Sequence, residues 1–455
     1  MGKHEGNRPV NTKRMGEPAG GTSAMLGDIV IPNNVEIYDR RNCVLSRPTC
    51  EQKMLDLAVE RRQSLRARYY YGMIFLFMNL GAWFVRDYGQ KLMPILQYVR
   101  SCGMEGLACT QTMGVLRVSL GCFIFFFLMF LISFNTRKLN EARNIWHSRW
   151  WALKSLLLIV SMATPLLIPS SFIHFYGEFA RVGAGIFLVL QLISVIQFIA
   201  WWNNHWMPDG GTKQSCSLGL LLSTLSYIAS LCGIAILAKM YSAGQSLNIF
   251  FITWTIILLI VMMVMSLHSK VNTGLLSSGI MGSYIVFLCW SAIRSEPAIQ
   301  KSNVHQQANH HDWSTIFSFV IAICAIVMAT FSTGIDSESF QFRKDDIREE
   351  DDVPYKYEFF HLVFSLGAMY FAMLFISWNL ENTTTKWVID VGWASTWVKI
   401  INEWLGATIY MWTLISPAVR RAKVMDEESA EVNNNHTGHS TSSPSRSSDM
   451  SEFRS

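Results

Sequence analysis

Ten long apolar runs separated by polar punctuation divide this chain, at roughly 69–85, 113–134, 150–170, 178–206, 216–238, 247–267, 274–294, 313–333, 358–378 and 397–417. The stretch from Val182 to Pro208 contains no Lys, Arg, Asp or Glu, enough for about 40 Å of helix at 1.5 Å per residue. A soluble core has no use for ten such helices. Backbone amides in hydrocarbon must bond within their own segment or within a closed barrel, and runs this long exclude barrel strands. The pattern therefore predicts an all-α polytopic membrane protein with about ten transmembrane helices.

The flanks read differently. Residues 1–68 are expected to form a polar, mostly disordered N-terminal tail, since their opening stretch is rich in Gly, Asn, Pro and charge and buries too little apolar surface to offset the entropy of ordering. Near its end, Leu55, Val59 and Leu65 alternate with Arg61, Arg62, Arg66 and Arg68. That spacing fits an amphipathic helix on a membrane surface or a solvated linker. Residues 69–417 form the membrane domain, and 418–455 a disordered Ser-rich tail.

Charge sets the expected orientation. With an even number of spans both tails share a side with the loops after spans two, four, six and eight, which carry Arg137, Lys138, Arg143, Arg149, Lys213 and Lys270. The opposite loops are poorer in Lys and Arg, which places both termini in the cytoplasm. Trp150 and Trp151 open span three, and Trp201, Trp202 and Trp206 close span four, as interfacial belts require.

Composition agrees: 51% of the 455 residues are hydrophobic and 16% charged, against about 25% charged in soluble domains. A net charge of +5 spread over loops offers no face that could track nucleic acid. Nine cysteines show no C-x-x-C spacing, so no zinc or redox motif is expected. Cys102 and Cys109 close a short lumenal loop and are the disulfide candidates. The sequence Met-Gly at the start lacks the Ser or Thr of a myristoylation signal, having Gly6 there.

Five segments resemble the serine incorporator (SERINC) membrane proteins: SRWWALKSLLL with LLIP, FLVLQLISVIQFIAWWNNHW, TGLLSSGIMGSYIVFLCWSAIRSEP, YKYEFFHLVFSLGAMYFAMLFISWNL and TWVKIINEWLGATIYMWTLISP. The likeness runs from about Tyr69 to Pro417. It implies two helical bundles joined by a long, tilted fourth helix, with lipid-accessible grooves between them. It also implies a role in incorporating serine into phosphatidylserine and sphingolipids, or in transbilayer lipid movement. Partners would then be membrane phospholipids and sphingolipids, together with serine. Two departures stand out. Gln197 and Ala200 replace an Asp and a His found near the end of span four in many members, and a polar tail replaces the cysteine-rich apolar start of many animal members.

Ionisable residues within spans are costly, which singles out Lys154, Arg117, His361, Lys399 and Glu403. One reading has them snorkelling from span ends, with Lys399 and Glu403 paired at i,i+4. A second has Lys154, Asn203, Asn204, His361 and Lys399 lining polar grooves that receive lipid headgroups. Gly183, Gly185, Gly274, Gly279 and Gly282 suit close helix packing, and Pro165 and Pro169 suit a kink in span three. P-loop, HExxH and GxSxG motifs are absent, so the expectation is a non-enzymatic protein without cofactor or metal. His305, His310, His311 and Asp312 have ligand types but irregular spacing. Asn382 and Asn435 begin glycosylation sequons. A solute transporter and a membrane scaffold are the competing function classes, the former weakened by the lack of a clear internal repeat.

Overall fold

A computed structural model describes residues 47–89, 106–206, 213–241, 246–268, 275–297, 313–336, 352–380 and 389–438. The chain divides into residues 1–56 and 57–455, and the packing below is that of the second unit. The elements in order are α1 (Arg47–Tyr88), α2 (Gly106–Ile132), α3 (Ala142–Ser148), α4 (Trp151–Leu167), α5 (Ser170–Trp206), α6 (Lys213–Tyr241), α7 (Ser246–Leu267), α8 (Leu275–Arg294), α9 (Trp313–Ile335), α10 (Tyr357–Phe375) and α11 (Trp393–Gly438). Each of the ten apolar runs falls on a helix.

Among the described residues, six helices are long and apolar enough to cross a bilayer, or seven if the bent pair α3 and α4 counts as one span. The apolar part of α9 is shorter, Phe319–Ile335. The runs at 69–85 and 397–417 sit inside the longer helices α1 and α11, whose ends are polar. Both of these helices outrun the sequence reading. The chain is already helical at Arg47 and stays helical to Gly438; over Leu55 to Arg68 this is the helical alternative of the sequence reading, whereas irregular chain was expected beyond residue 418. Extending an existing helix carries no nucleation cost, so polar residues of fair helix propensity simply continue it.

Side chains sort the helices into two bundles. The first core gathers Tyr71 and Phe75 of α1, Phe125 and Phe126 of α2, Ile323 of α9, and Phe360 and Phe364 of α10. The N-terminal half of α5 joins it through Ile173, Tyr176, Ala180 and Ala184. Farther along the same helix, Leu192, Ile196 and Ile199 pack instead with Leu258 of α7, Met281 and Ile285 of α8, and Ala407, Tyr410 and Leu414 of α11. A neighbouring cluster adds Leu237 of α6 to Phe251, Cys289 and Ile400. Thus α5 belongs to both bundles. At 37 residues it is about 55 Å long, well beyond a hydrocarbon slab about 30 Å thick, and such an excess is taken up by tilt.

Close approach explains two of the glycines. A side chain on Gly183 would meet the Met369 side chain of α10, which would have to shift for α5 and α10 to keep this approach. On α8, a Cβ at Gly282 would lie 2.9 Å from Leu259. Gly185 instead faces open space, and Gly274 lies outside the described residues.

Of the two prolines of span three, Pro165 lies inside α4 and Pro169 follows its end. Ile168 is extended at φ −81°, ψ 135°, as a residue before proline prefers, and α5 starts directly after Pro169. At the other end of α4 the chain bends by 73° to the short α3. Trp150 makes the corner with φ 60°, an uncommon conformation for a bulky residue.

Candidate functional site

Two polar constellations stand out, one inside the first bundle and one where the bundles meet. In the first, His147 of α3 is fully buried, and its ring lies flat on Tyr357, with centroids 3.8 Å apart and an interplanar angle of 6°. Its Nδ1 is 3.1 Å from His361 Nε2 and its Nε2 2.9 Å from the Tyr355 hydroxyl. Tyr355 donates onward to the Ser64 carbonyl at 3.4 Å. Proton placement follows from that direction: His361 Nε2–H donates to His147, and His147 Nε2–H donates to Tyr355. The arrangement leaves bare only His361 Nδ1, which has no partner among the described residues and in this tautomer is an acceptor. Burial beside Tyr357 and Tyr71 holds the Tyr355 phenol well above its usual range, so it serves as a neutral hydroxyl.

Lys154 closes the same knot. Its ammonium donates to the His147 carbonyl at 2.8 Å, and the Tyr71 hydroxyl donates to the same carbonyl at 3.1 Å. The ammonium also lies 3.9 Å from the Trp151 ring centre and 5.2 Å from that of Tyr71, a cation–π pairing in a site shielded from water. Tyr357 hydrogen-bonds both Ser64 and Asn144. Together these bonds tie α1, α3, α4 and α10. Lys154 and His361, both singled out in the sequence, do meet, but they are 1% and 0% exposed and their polar atoms face the protein.

The second constellation sits on the seam. Lys399 of α11 pairs with Asp390 at 2.7 Å and donates to the Ser291 carbonyl and the Ser295 hydroxyl of α8 and its C-terminal end. Ser395 donates to the other Asp390 oxygen at 2.6 Å. Tyr370 of α10 lies within electrostatic reach of Asp390 and of Tyr284 of α8, and Tyr284 hydrogen-bonds Asn402 of α11. Farther along α5, Ser194 reaches Asp336 at the end of α9 at 3.3 Å. Lys399, Tyr370, Tyr284 and Asn402 are all partly exposed. Residues from both bundles thus place hydroxyls, an amide and an ion pair along one boundary.

The remaining candidates scatter. Asn203 is buried near the end of α5 with its Oδ1 unbonded among the described residues, while Asn204 faces outward. Gln197 and Ala200 are exposed on the same helix. Arg117 is buried against the end of α4. Glu403 accepts from Thr255 at 2.8 Å and does not pair with Lys399, which faces Asp390 instead. Cys102, Asn382 and the histidine cluster before α9 lie outside the described residues, as do the side chains of Cys109 and Asn435. Among the described residues no group of three metal-ligating side chains assembles. Sequence reasoning passed over His147, Tyr355, Tyr370 and Tyr284, which look like ordinary belt or core residues until the fold brings them together.

Two bundles sharing one long helix, with a polar boundary between them, define an integral, multi-pass α-helical membrane protein. The Serine incorporator (Serinc) family model matches residues 42–347 and 336–423, and the chain belongs to that family. Among similar proteins, a probable serine incorporator of Nematostella vectensis is 25% identical over 374 residues, 70% of this chain and 82% of the relative. Serine incorporator 3 of Bos taurus is 26% identical over 378 residues, 67% and 78% of the two chains. A probable serine incorporator of Monosiga brevicollis is 22% identical over 460 residues, covering 82% and 92%.

Proposed function

We propose that this chain is a non-enzymatic lipid-handling protein with both termini in the cytosol, resident in the endomembrane system or the plasma membrane. It supports incorporation of serine into phosphatidylserine and sphingolipids by letting lipid headgroups pass between leaflets. The supporting observation is the seam beside α5, where Lys399, Tyr370, Tyr284 and Asn402 are partly exposed between two apolar bundles. A headgroup crossing hydrocarbon must exchange water for other hydrogen-bonding groups, and a polar boundary open to lipid supplies them while acyl chains stay outside.

Reconstitution into vesicles holding fluorescent phospholipids tests this. Dithionite added outside should quench fluorescence beyond the outer-leaflet fraction. Quenching equal to that of protein-free vesicles would overturn the reading. Uptake of radiolabelled serine in the same vesicles would then favour a carrier, and silence in both assays a scaffold.

A further inference from the structure

An acidic side chain is sealed where α7, α8 and α11 meet. Glu403 of α11, Thr255 of α7 and Cys289 of α8 are fully buried, and Cys289 faces both of the others. Phe251, Cys289, Ile293 and Ile400 form an apolar cluster from the same three helices. Thr255 and Glu403 lie about 14 and 15 Å from the start of their helices, beyond the reach of a side chain anchored at the helix ends.

Hydrogen bonding does not compensate a charge here. Glu403 Oε1 faces the Thr255 hydroxyl at 2.8 Å, but that hydroxyl has a single proton and also lies 2.8 Å from the Phe251 carbonyl. Oε2 has no partner among the described residues. Nor is a cation at hand. The helix α7 carries no charged or titratable side chain. On α11, Lys399 is turned to Asp390 and Tyr410 bonds Ser277. On α8, Arg294 is exposed beside Trp290, and Tyr284 is bonded to Asn402. Lys239 of the adjoining α6 is exposed. Among the described residues Cys289 is the one titratable group facing Glu403, and it brings no positive charge. A carboxylate held in this way keeps nearly its whole charge in apolar surroundings, one of the costliest placements in a membrane helix. A single proton removes that charge. The carboxylic acid then donates through Oε1 to Thr255, Thr255 donates on to the Phe251 carbonyl, and Oε2 is left as a neutral carbonyl oxygen.

We infer that Glu403 is a proton-binding site that locks the second bundle: with the proton bound, the acid ties α11 to α7, and when the proton leaves to water, the bare carboxylate loosens α11 from α7 and α8. The step breaks one O–H bond of the carboxyl and makes one on water, with no other bond changed. Lys399 and Asn402 of the same helix lie on the seam, so the lock sets how firmly that boundary is held. The site itself stands whether or not the seam passes lipid.

The test uses the full chain purified in detergent. Infrared spectra at neutral pH should contain a carboxylic-acid carbonyl band that moves in D2O and is missing from Glu403→Gln. Glu178→Gln, which removes an exposed carboxyl paired with Arg181, should leave the band in place. Identical acid bands in wild type and Glu403→Gln would overturn the proposal, since Glu403 would then be ionised. Glu403→Gln keeps the size of the acid and its bond to Thr255, so it should fold, and it serves as the permanently locked form. Cys289 reports the release. Its alkylation by a membrane-permeant maleimide, located by peptide mass spectrometry, should rise with pH in both proteins as the thiolate forms. At alkaline pH it should be several-fold faster in wild type than in Glu403→Gln. Equal rates in the two proteins at every pH would overturn the lock, even with the infrared band present. Neither readout involves lipid movement, so their failure is distinct from failure of the seam.

Discussion

The guanidinium of Arg117 stands in for the backbone N–H that Pro169 lacks. In a continuing helix the amide of residue 169 would bond the carbonyl of Pro165. Proline has no such donor, and Arg117 Nη1 of α2 reaches that carbonyl and the Ile168 carbonyl at 2.8 Å. A cation at a helix C-terminus also opposes the negative end of its dipole. The residue that looked like a costly charge inside a span therefore satisfies the carbonyls left open where Pro169 ends α4, and packs α4 on α2.

Arg117→Met should consequently destabilise the fold, by about 2 kcal/mol, because carbonyls would be left unpaired away from water. Thermal unfolding of the detergent-solubilised protein measures it. Arg117→Lys should recover part of the loss through a single donor. Equal stability of wild type and Arg117→Met would show that water already serves these carbonyls.

Lys154 and Tyr71 share one acceptor, which makes their substitutions non-additive. Lys154→Met leaves the His147 carbonyl bonded to Tyr71, and Tyr71→Phe leaves it bonded to Lys154. Each alone should cost about 1 kcal/mol. Lys154→Met/Tyr71→Phe strips the carbonyl bare and should cost more than the sum of the singles. A double-mutant cycle on unfolding temperatures decides, with strict additivity as the contrary result.

Glu296 makes stability depend on pH. It lies just past the end of α8, is covered from solvent, and burial raises its carboxyl above the ordinary 4.5, with the Asn248 side chain pulling partly back. An acid whose folded pKa is raised carries no penalty while both states are protonated. Stability then falls as pH climbs from the unfolded value through the folded one. Glu296→Gln should match wild type in acid, below about pH 4.5, and exceed it at neutral pH. A constant offset at every pH would assign the effect to packing alone.

How far the sequence reached depended on whether a feature was local. The apolar helices were legible because charge-free runs are a property of each segment by itself. The part played by α5 was not legible from its length, since the uncharged run from Met240 to Leu267 is equally long; only the resemblance pointed to it. The short α3 was not legible, since its seven residues, ARNIWHS, are too few and too polar to show a period, and it stays helical through tertiary bonds. Ser64 and Tyr357 lie 293 positions apart, and no pattern in either neighbourhood announces their contact. Lys154, His361 and Lys399 were visible as ionisable groups in apolar surroundings. Their separation into a sealed knot and an open seam is a matter of packing, which spacing does not encode.

That separation yields the sharpest test of lipid handling. Lys154 is 1% exposed behind Trp151 and Tyr71, so no headgroup touches it while the first bundle is closed. The Lys399 side chain is 19% exposed and its partner Asp390 13%, on the boundary next to α5. Lys399→Met removes the seam's cation and leaves Asp390 without its ion pair, which a partly buried carboxylate tolerates poorly. Lys399→Met/Asp390→Asn removes both charges and should restore the stability lost in the single variant. In vesicles matched for folded protein, Lys154→Met should move fluorescent phospholipid at the wild-type rate, while both Lys399 variants slow it several-fold. Slowing by Lys154→Met with no change in either Lys399 variant would move the path from the seam into the first bundle.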